Sequence, residues 1–190
     1  DINGHWAEQD ILKMAAMKII KGDGQGRYNP DELISRQEAL SAVIGLINQR
    51  DAAGQLGASG AVAARGIGAW ARGYLLYAQK EGIISESEVK SLNWAAPAER
   101  QEVIIWLSKA LKLMPVVDTA LLDYFVDKED INLLKAPYFI PLIKDNILTG
   151  VNGYLYPKSP IKRCEVISLI SRAEARYMSA VYKRSQSGQV

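Results

Sequence analysis

The chain has very few of the residues from which catalytic and metal sites are built. Its 190 residues include a single cysteine, Cys164, and a single histidine, His5. One cysteine excludes an internal disulfide bond. We interpret it as a small, partly buried thiol, because the histidine that would activate it lies far away in the sequence. We therefore predict no catalytic site, no bound metal and no other cofactor, and hence no enzyme.

Clusters of one charge and long apolar runs are also missing. The 23 basic and 21 acidic residues leave a net charge of +2, without the basic excess that nucleic-acid binding requires. No apolar stretch reaches the roughly 18 residues needed to cross a bilayer. The 48% of hydrophobic residues suffices for a core, and we expect one compact domain. The scarcity of cysteine fits both the cytosol and disulfide-free bacterial surface proteins, so the compartment stays open.

The chain does contain an internal repeat. Three arginines recur at spacings of 64 and 63 residues, and each is followed two places later by a glutamate; the pairs are Arg36 and Glu38, Arg100 and Glu102, and Arg163 and Glu165. Trp6 and Trp70 also stand 64 residues apart. Such a fixed period indicates one supersecondary unit used three times.

The repeat gives the predicted domain organisation. We assign repeat 1 to residues 1–50, repeat 2 to 66–113, repeat 3 to 118–178, linkers to 49–66 and 114–118, and a polar C-terminal tail to 179–190. The sequence starts at Asp1 inside repeat 1, so we expect a mature chain or an excised fragment.

Apolar periodicity predicts a helix, a turn-rich loop and a second helix in each repeat. The predicted helices are 7–18, 35–48, 69–80, 98–112, 137–144 and 161–177, with a short helical turn at 87–92 and a short helix at 121–126. Ser35 and Glu38 form a capping-box pattern. No segment alternates long enough to require a sheet. The fold class is therefore mainly α, with three helix–loop–helix repeats around a pseudo-threefold axis and the second helices packed together as a central three-helix bundle.

The recurring arginines are unusual because a cation in the first turn of a helix opposes the helix dipole. A helix N-terminus offers free N–H groups, and a guanidinium adds a planar fork that suits a carboxylate or phosphate. Three such places predict binding of an acidic ligand that repeats along a polymer. The alternative is that each arginine pairs with a glutamate of its own repeat or of a neighbouring one. The motif glutamates are expected to be helix caps or such partners.

Two further motifs have alternative interpretations. Trp6 and Trp70 could be core anchors, or could lay their faces against a sugar while the indole N–H donates. The segment Asp23-Gly24-Gln25-Gly26 has too few oxygen ligands for a calcium loop, so we interpret it as a turn.

Several motifs of repeat 1 together resemble a known family. They are His5-Trp6-Ala7, Ile19-Ile20-Lys21-Gly22, Gly26-Arg27-Tyr28-Asn29-Pro30 and Ile34-Ser35-Arg36-Gln37-Glu38. The chain resembles three tandem S-layer homology domains over residues 1–178, most specifically in repeat 1 and least in repeat 2. This resemblance implies a three-pronged helical domain outside the bacterial cell, associated with the cell wall or S-layer.

The resemblance also implies a function and a site. Such domains are non-catalytic anchors that bind a secondary cell wall polymer attached to peptidoglycan, typically through a pyruvylated N-acetylmannosamine unit, in grooves between repeats. The glycan-binding residues implied here are Arg36, Arg100, Arg163, Trp6, Trp70, Gly22 and Asp23. The motif arginines would meet the ketal carboxylate. Neither nucleic acid nor membrane insertion is expected, and neighbouring surface-protein subunits are possible partners.

Two departures from the family pattern predict unequal grooves. Leu134 stands where repeats 1 and 2 have tryptophan, and Glu86 replaces the glycine found at position 22. We expect the groove around Arg36 and Gly22 to be the strongest. The alternative function is a protein-interaction scaffold of a bacterial surface protein.

Overall fold

The computed structural model describes residues 1–59 and 62–178, so the predicted tail at 179–190 lies outside the described residues. Within those ranges the chain is mainly helical, as predicted, and it contains isolated β-bridges but no sheet strand. The α-helices are α1 (Glu8–Ala16), α2 (Arg36–Leu46), α3 (Arg50–Ser59), α4 (Arg72–Lys80), α5 (Glu86–Ser91), α6 (Arg100–Ala110), α7 (Phe139–Lys144) and α8 (Arg163–Ala173). Short 3₁₀ segments lie at Ala69–Ala71, Ala120–Tyr124, Lys128–Asp130 and Ala136–Tyr138, and a π-helical turn at Glu174–Met178 follows α8.

Three of these helices, α2, α6 and α8, begin at the motif arginines and are buried along most of their length. Glutamate caps start them as the sequence predicts. The backbone N–H groups of Ser35, Glu99 and Lys162 donate to the glutamate three residues later, at 3.0, 2.8 and 2.9 Å. These caps satisfy N–H groups that a helix start otherwise leaves without a partner.

The segments that precede these three helices are joined by backbone hydrogen bonds. Ile34 N–H donates to Ile161 O at 3.1 Å, Ile161 N–H to Ala98 O at 3.0 Å, and Ala98 N–H to Ile34 O at 2.9 Å. The three bonds therefore form a closed circuit that includes one residue from each predicted repeat.

The outer helices cover the inner ones in a regular order. Helix α1 packs on α8, α4 packs on α2, and α7 packs on α6, while α2 contacts both α6 and α8. Each first helix of a predicted repeat thus lies on the second helix of a different repeat. Grooves between the outer helices are consequently lined by more than one repeat.

One predicted linker is wrong. Much of residues 49–66 forms helix α3, which packs closely on α4. The contact is made by small residues: a Cβ added at Gly57 would lie 3.1 Å from Gly73 Cα, and one added at Gly73 would overlap Ala53 O. The alanine and glycine content of this segment permits two helix backbones to approach each other.

The tryptophans divide into two groups. Trp94 and Trp106 are completely buried and stack with ring centroids 5.8 Å apart. Trp6 and Trp70 are 62% and 55% exposed, so the interpretation of these two as core anchors is wrong.

No helix in the described parts of the chain is both long and apolar enough to cross a membrane.

Candidate functional site

A surface cavity of about 350 Å³ is formed by residues from all three predicted repeats. Predicted repeat 1 supplies the loop after α1 and part of α2. Two aromatic side chains come from α4 and from the 3₁₀ turn before it. Helix α8 supplies an arginine. The lining residues on which the site depends are Lys21, Gly22, Tyr28, Glu38, Arg50, Trp70, Tyr74 and Arg163.

Arg163 is held in the cavity wall by several contacts. Its Nε donates to Tyr28 O at 2.9 Å and its Nη1 to Glu38 Oε1 at 2.9 Å. Its guanidinium carbon lies 4.7 Å from the centroid of the Tyr28 ring. The contact from Nη2 to Lys21 O is longer, at 3.4 Å. A guanidinium carries five N–H donors, so Arg163 retains donors for a ligand while its position is fixed.

Arg50 is a second cation in the cavity, and sequence reasoning missed it. Its Nη1 donates to Tyr74 Oη at 3.2 Å, and its Nη2 donates to Ile19 O. In repeat 3, Arg172 Nη1 donates to Ile147 O at 2.8 Å. Ile19 and Ile147 occupy equivalent positions in the sequence repeat. The two arginines therefore bind equivalent backbone carbonyl oxygens, although they stand at different positions of the repeat.

A signal for Arg50 is nevertheless present in the sequence. The position nine residues after the motif arginine is Gly45 in repeat 1, Lys109 in repeat 2 and Arg172 in repeat 3. A Cβ at Gly45 would overlap the Arg50 guanidinium. Predicted repeat 1 thus has Gly45 where the other two have a lysine or an arginine. Arg50 supplies the cation instead, and its guanidinium occupies the space beside Gly45 that a side chain would fill.

Two further residues shape the cavity. Trp70 is more than half exposed and meets Tyr74 edge-on, with ring centroids 6.3 Å apart. Gly22 lines the floor, where a Cβ would lie 2.5 Å from Arg27 O. Any larger residue at position 22 would push the loop out of place. The cavity thus combines an exposed aromatic face with a narrow loop.

The charges of the cavity favour an anion. Lys21, Arg50 and Arg163 face a single carboxylate, that of Glu38. Three cations against one anion leave a local excess of two positive charges, in a concave site where solvent screens charges less than on an open surface.

The other two motif arginines lie outside this cavity and are also paired. Arg36 Nε donates to Glu102 at 2.8 Å, and Arg36 Nη1 to Asn93 O at 3.3 Å. Arg100 Nη1 donates to Glu165 Oε1 at 3.0 Å. Burial lowers the pKa of Arg100. Burial also raises the pKa of Glu102, although the hydrogen bond from Arg36 acts to lower it. Each motif arginine therefore pairs with the glutamate of a neighbouring repeat, which is one of the alternatives that the sequence left open.

This pairing corrects the predicted grouping of site residues. The sequence placed Gly22 with Arg36 of the same repeat, whereas the structure places Gly22 in one cavity with Arg163 and Trp70. The arginine at the start of each of α2, α6 and α8 reaches the motif glutamate of another of these three helices. For that reason, Gly22 and Arg36 do not line the same cavity.

The remaining predicted residues have different surroundings. Trp6 is exposed and packs beside the His5 ring, with centroids 5.5 Å apart. Asp23 forms the predicted turn: its Oδ1 accepts the Gln25 N–H at 2.8 Å, and its Oδ2 accepts from Arg27 Nε at 3.0 Å. These hydrogen bonds lower the pKa of Asp23. The Asp23 side chain orders the loop that contains Gly22, and it is not part of the cavity lining.

Comparison with known proteins adds a family match at one end of the chain. The family model of the S-layer homology domain matches residues 1–40. No curated protein matches the chain. S-layer homology domains are cell-wall anchoring modules of the cell surface that bind secondary cell wall polymers without catalysis. The matched region includes Gly22, Tyr28 and Glu38 of the cavity.

Proposed function

We propose that this chain is a non-catalytic anchor that attaches a protein to the bacterial cell wall by binding an acidic secondary cell wall polymer. The ligand unit is pyruvylated N-acetylmannosamine, and the three predicted repeats act together as one pseudo-threefold domain. The single observation that supports this function most strongly is the cavity with three cations and an exposed tryptophan.

The residues of the cavity suit such a sugar. The ketal carboxylate would accept hydrogen bonds from Arg163 and from Arg50 or Lys21, since charge-assisted hydrogen bonds to carboxylates are short and strong. The Trp70 face would cover the C–H groups of the ring. Gly22 would let the sugar approach the loop backbone closely.

The remaining predicted residues belong to two further grooves in this proposal. The structure shows that α4 of repeat 2 covers α2, and that α1 of repeat 1 covers α8. By the same relation, Trp6 would serve the groove of Arg100, and the exposed Leu134 would stand beside the groove of Arg36. This reverses the expectation from the sequence: the Arg36 groove should be the weakest rather than the strongest, because it lacks a tryptophan and Glu86 adds negative charge. Repetition of weak sites along a polymer raises residence through effective concentration.

Calorimetry with synthetic disaccharides tests this proposal. The intact chain should bind the pyruvylated disaccharide and not the same disaccharide without pyruvate. Arg163→Ala should weaken binding by about 1.5–3 kcal/mol, the scale of one charge-assisted hydrogen bond. Trp70→Ala should also weaken binding, and it leaves the pair between Arg163 and Glu38 intact.

Arg176→Ala is the matched control, because its exposed guanidinium pairs with Asp145 away from the cavity. Its affinity should equal that of the unaltered chain. Absence of heat at millimolar pyruvylated ligand, or equal binding of both disaccharides, would contradict the proposed ligand.

A protein-interaction scaffold is the second candidate function. Several large apolar side chains are exposed in the segment that precedes helix α7; they are Met114, Val117, Tyr124, Val126, Leu133 and Leu134. Exposed apolar groups of this kind favour protein contacts. Sedimentation with purified wall sacculi, before and after chemical removal of the attached polymer, separates the two functions. Binding that survives removal of the polymer would favour the scaffold.

A further inference from the structure

The only histidine and the only cysteine of the chain lie close together in the fold, with a carboxylate beside them. The ligand atoms of His5, Asp31 and Cys164 all lie within 4.8 Å of one another. They come from the start of the chain, from the loop before α2, and from the first turn of α8. None of the three lines the cavity described above.

We propose that His5, Asp31 and Cys164 form a site for a divalent transition-metal cation of the zinc type. Imidazole nitrogen, carboxylate oxygen and thiolate sulfur are the three ligand types that zinc uses in proteins. Three protein ligands leave the fourth tetrahedral position to water.

The geometry of the cluster fits this size of cation. Zinc–nitrogen and zinc–oxygen bonds of roughly 2.0–2.2 Å at a tetrahedral angle place the two ligand atoms about 3.4 Å apart. The observed separation between His5 Nε2 and Asp31 Oδ2 is 3.5 Å. The Cys164 sulfur lies within 4.8 Å of both other ligand atoms, and a zinc–sulfur bond of roughly 2.3 Å requires it to move closer to them.

The surroundings provide an entry path and a fixed carboxylate. Asp31 has 64% of its side chain exposed, whereas that of His5 is 14% exposed and Cys164 is almost fully buried. Lys162 Nζ donates to Asp31 Oδ1 at 2.8 Å, which leaves Oδ2 directed at the imidazole. An outer partner of this kind holds a ligand in orientation.

Cys164 is a buried free thiol. Burial, together with the carboxylates of Glu165 and Asp31, raises the pKa of Cys164 to about 11. A dication bound by Asp31 supplies the positive charge that a thiolate lacks here. The thiol proton leaves to solvent as the metal–sulfur bond forms.

One existing contact opposes metal binding. His5 Nδ1 accepts the Ala7 N–H at 3.1 Å, which places the imidazole proton on Nε2. Coordination through Nε2 moves this proton to Nδ1 and breaks the bond to Ala7. We therefore expect an exchangeable metal rather than a permanently bound one. When occupied, the site would join the first repeat to the third.

Cobalt titration of the full chain tests the site, because Co²⁺ replaces Zn²⁺ and shows a thiolate charge-transfer absorption in the near ultraviolet. One equivalent of Co²⁺ should bind with that absorption, Zn²⁺ should displace it, and Zn²⁺ should raise the melting temperature. Cys164→Ala should abolish the absorption. Asp31→Asn should lower cobalt affinity about tenfold or more, the scale reported for loss of groups around a metal.

Asp123→Asn is the matched control for Asp31→Asn. Both aspartates are about two-thirds exposed, and each bonds a lysine at 2.8 Å. The control should bind cobalt like the unaltered chain, and melting curves without metal confirm that every variant is folded. The proposal is overturned by no cobalt binding at millimolar metal, by an unchanged absorption in Cys164→Ala, or by equal losses in Asp31→Asn and Asp123→Asn.

Discussion

At the scale of residues, the motif glutamates perform two tasks at once. Glu38 illustrates this: one carboxylate oxygen accepts the Ser35 N–H of its own helix, and the other accepts from Arg163 of another repeat. The carboxylate offsets the unfavourable position of an arginine at a helix start. The arginine that seemed misplaced in its own helix is thus stabilised by the N-terminal glutamate of the next.

The three cross-repeat pairs differ in burial, and this difference predicts their importance for stability. The side chain of Glu102 is 8% exposed, whereas that of Glu38 is 41% exposed. Glu102→Gln leaves the Arg36 charge buried without a counter-ion and should cost about 3–5 kcal/mol of unfolding free energy.

Glu38→Gln is the comparison variant, and it should cost no more than about 1–2 kcal/mol, since solvent reaches this pair. Urea unfolding at neutral pH measures both values. Equal losses for the two variants would show that burial does not set the strength of these pairs.

At the scale of elements, helix α3 has the least expected structure. It lies in a stretch rich in alanine and glycine and has no strong apolar stripe, yet it packs along α4. It also supplies Arg50 at its first turn. Close packing of small residues therefore positions a cation of the candidate binding site.

Two glycines of this helix pair provide a test of the packing. Gly73→Ala inserts a Cβ where Ala53 O stands, and the resulting overlap should cost about 1–3 kcal/mol of unfolding free energy. Gly54→Ala meets nothing within 4 Å, so the higher helix propensity of alanine should stabilise the chain by up to about 1 kcal/mol.

Denaturant unfolding of both variants gives opposite signs if α3 and α4 pack as described. A neutral effect of Gly73→Ala would mean that the two helices are further apart in solution.

At the scale of the whole molecule, two closed circuits of contacts join the three predicted repeats. One is the backbone circuit through Ile34, Ile161 and Ala98, and the other is the set of ion pairs between motif arginines and glutamates. Each circuit is closed only when all three of its hydrogen bonds or ion pairs are present. Loss of one repeat therefore removes contacts from both of the others.

This closure predicts that the chain unfolds as one unit. A fragment of residues 1–113 loses the partner of Ile34 N–H, the ion pair of Glu38 and the contact of α1 with α8. We expect it to show no cooperative thermal transition by circular dichroism, whereas the full chain shows one. A cooperative transition in the fragment would show that two repeats are stable alone.

Much of the local structure could be predicted because its causes lie within a few residues. The capping pattern at Ser35 and Glu38 placed the start of α2 correctly, and apolar periodicity located the other main helices except α3 to within a few residues. The exposure of Trp6 and Trp70 could not be predicted, since a tryptophan at a helix start fits a core as well as a surface.

The mainly helical class and the starts and caps of α2, α6 and α8 follow from the sequence alone, because they depend on hydrogen bonds and propensities within a single turn. Which side chains meet depends instead on the tertiary structure. It brought Gly22, Trp70 and Arg163 into one cavity and placed His5 beside Cys164. The physical reason is that both sites lie between repeats, where the circuit of hydrogen bonds, rather than spacing along the chain, sets the distances.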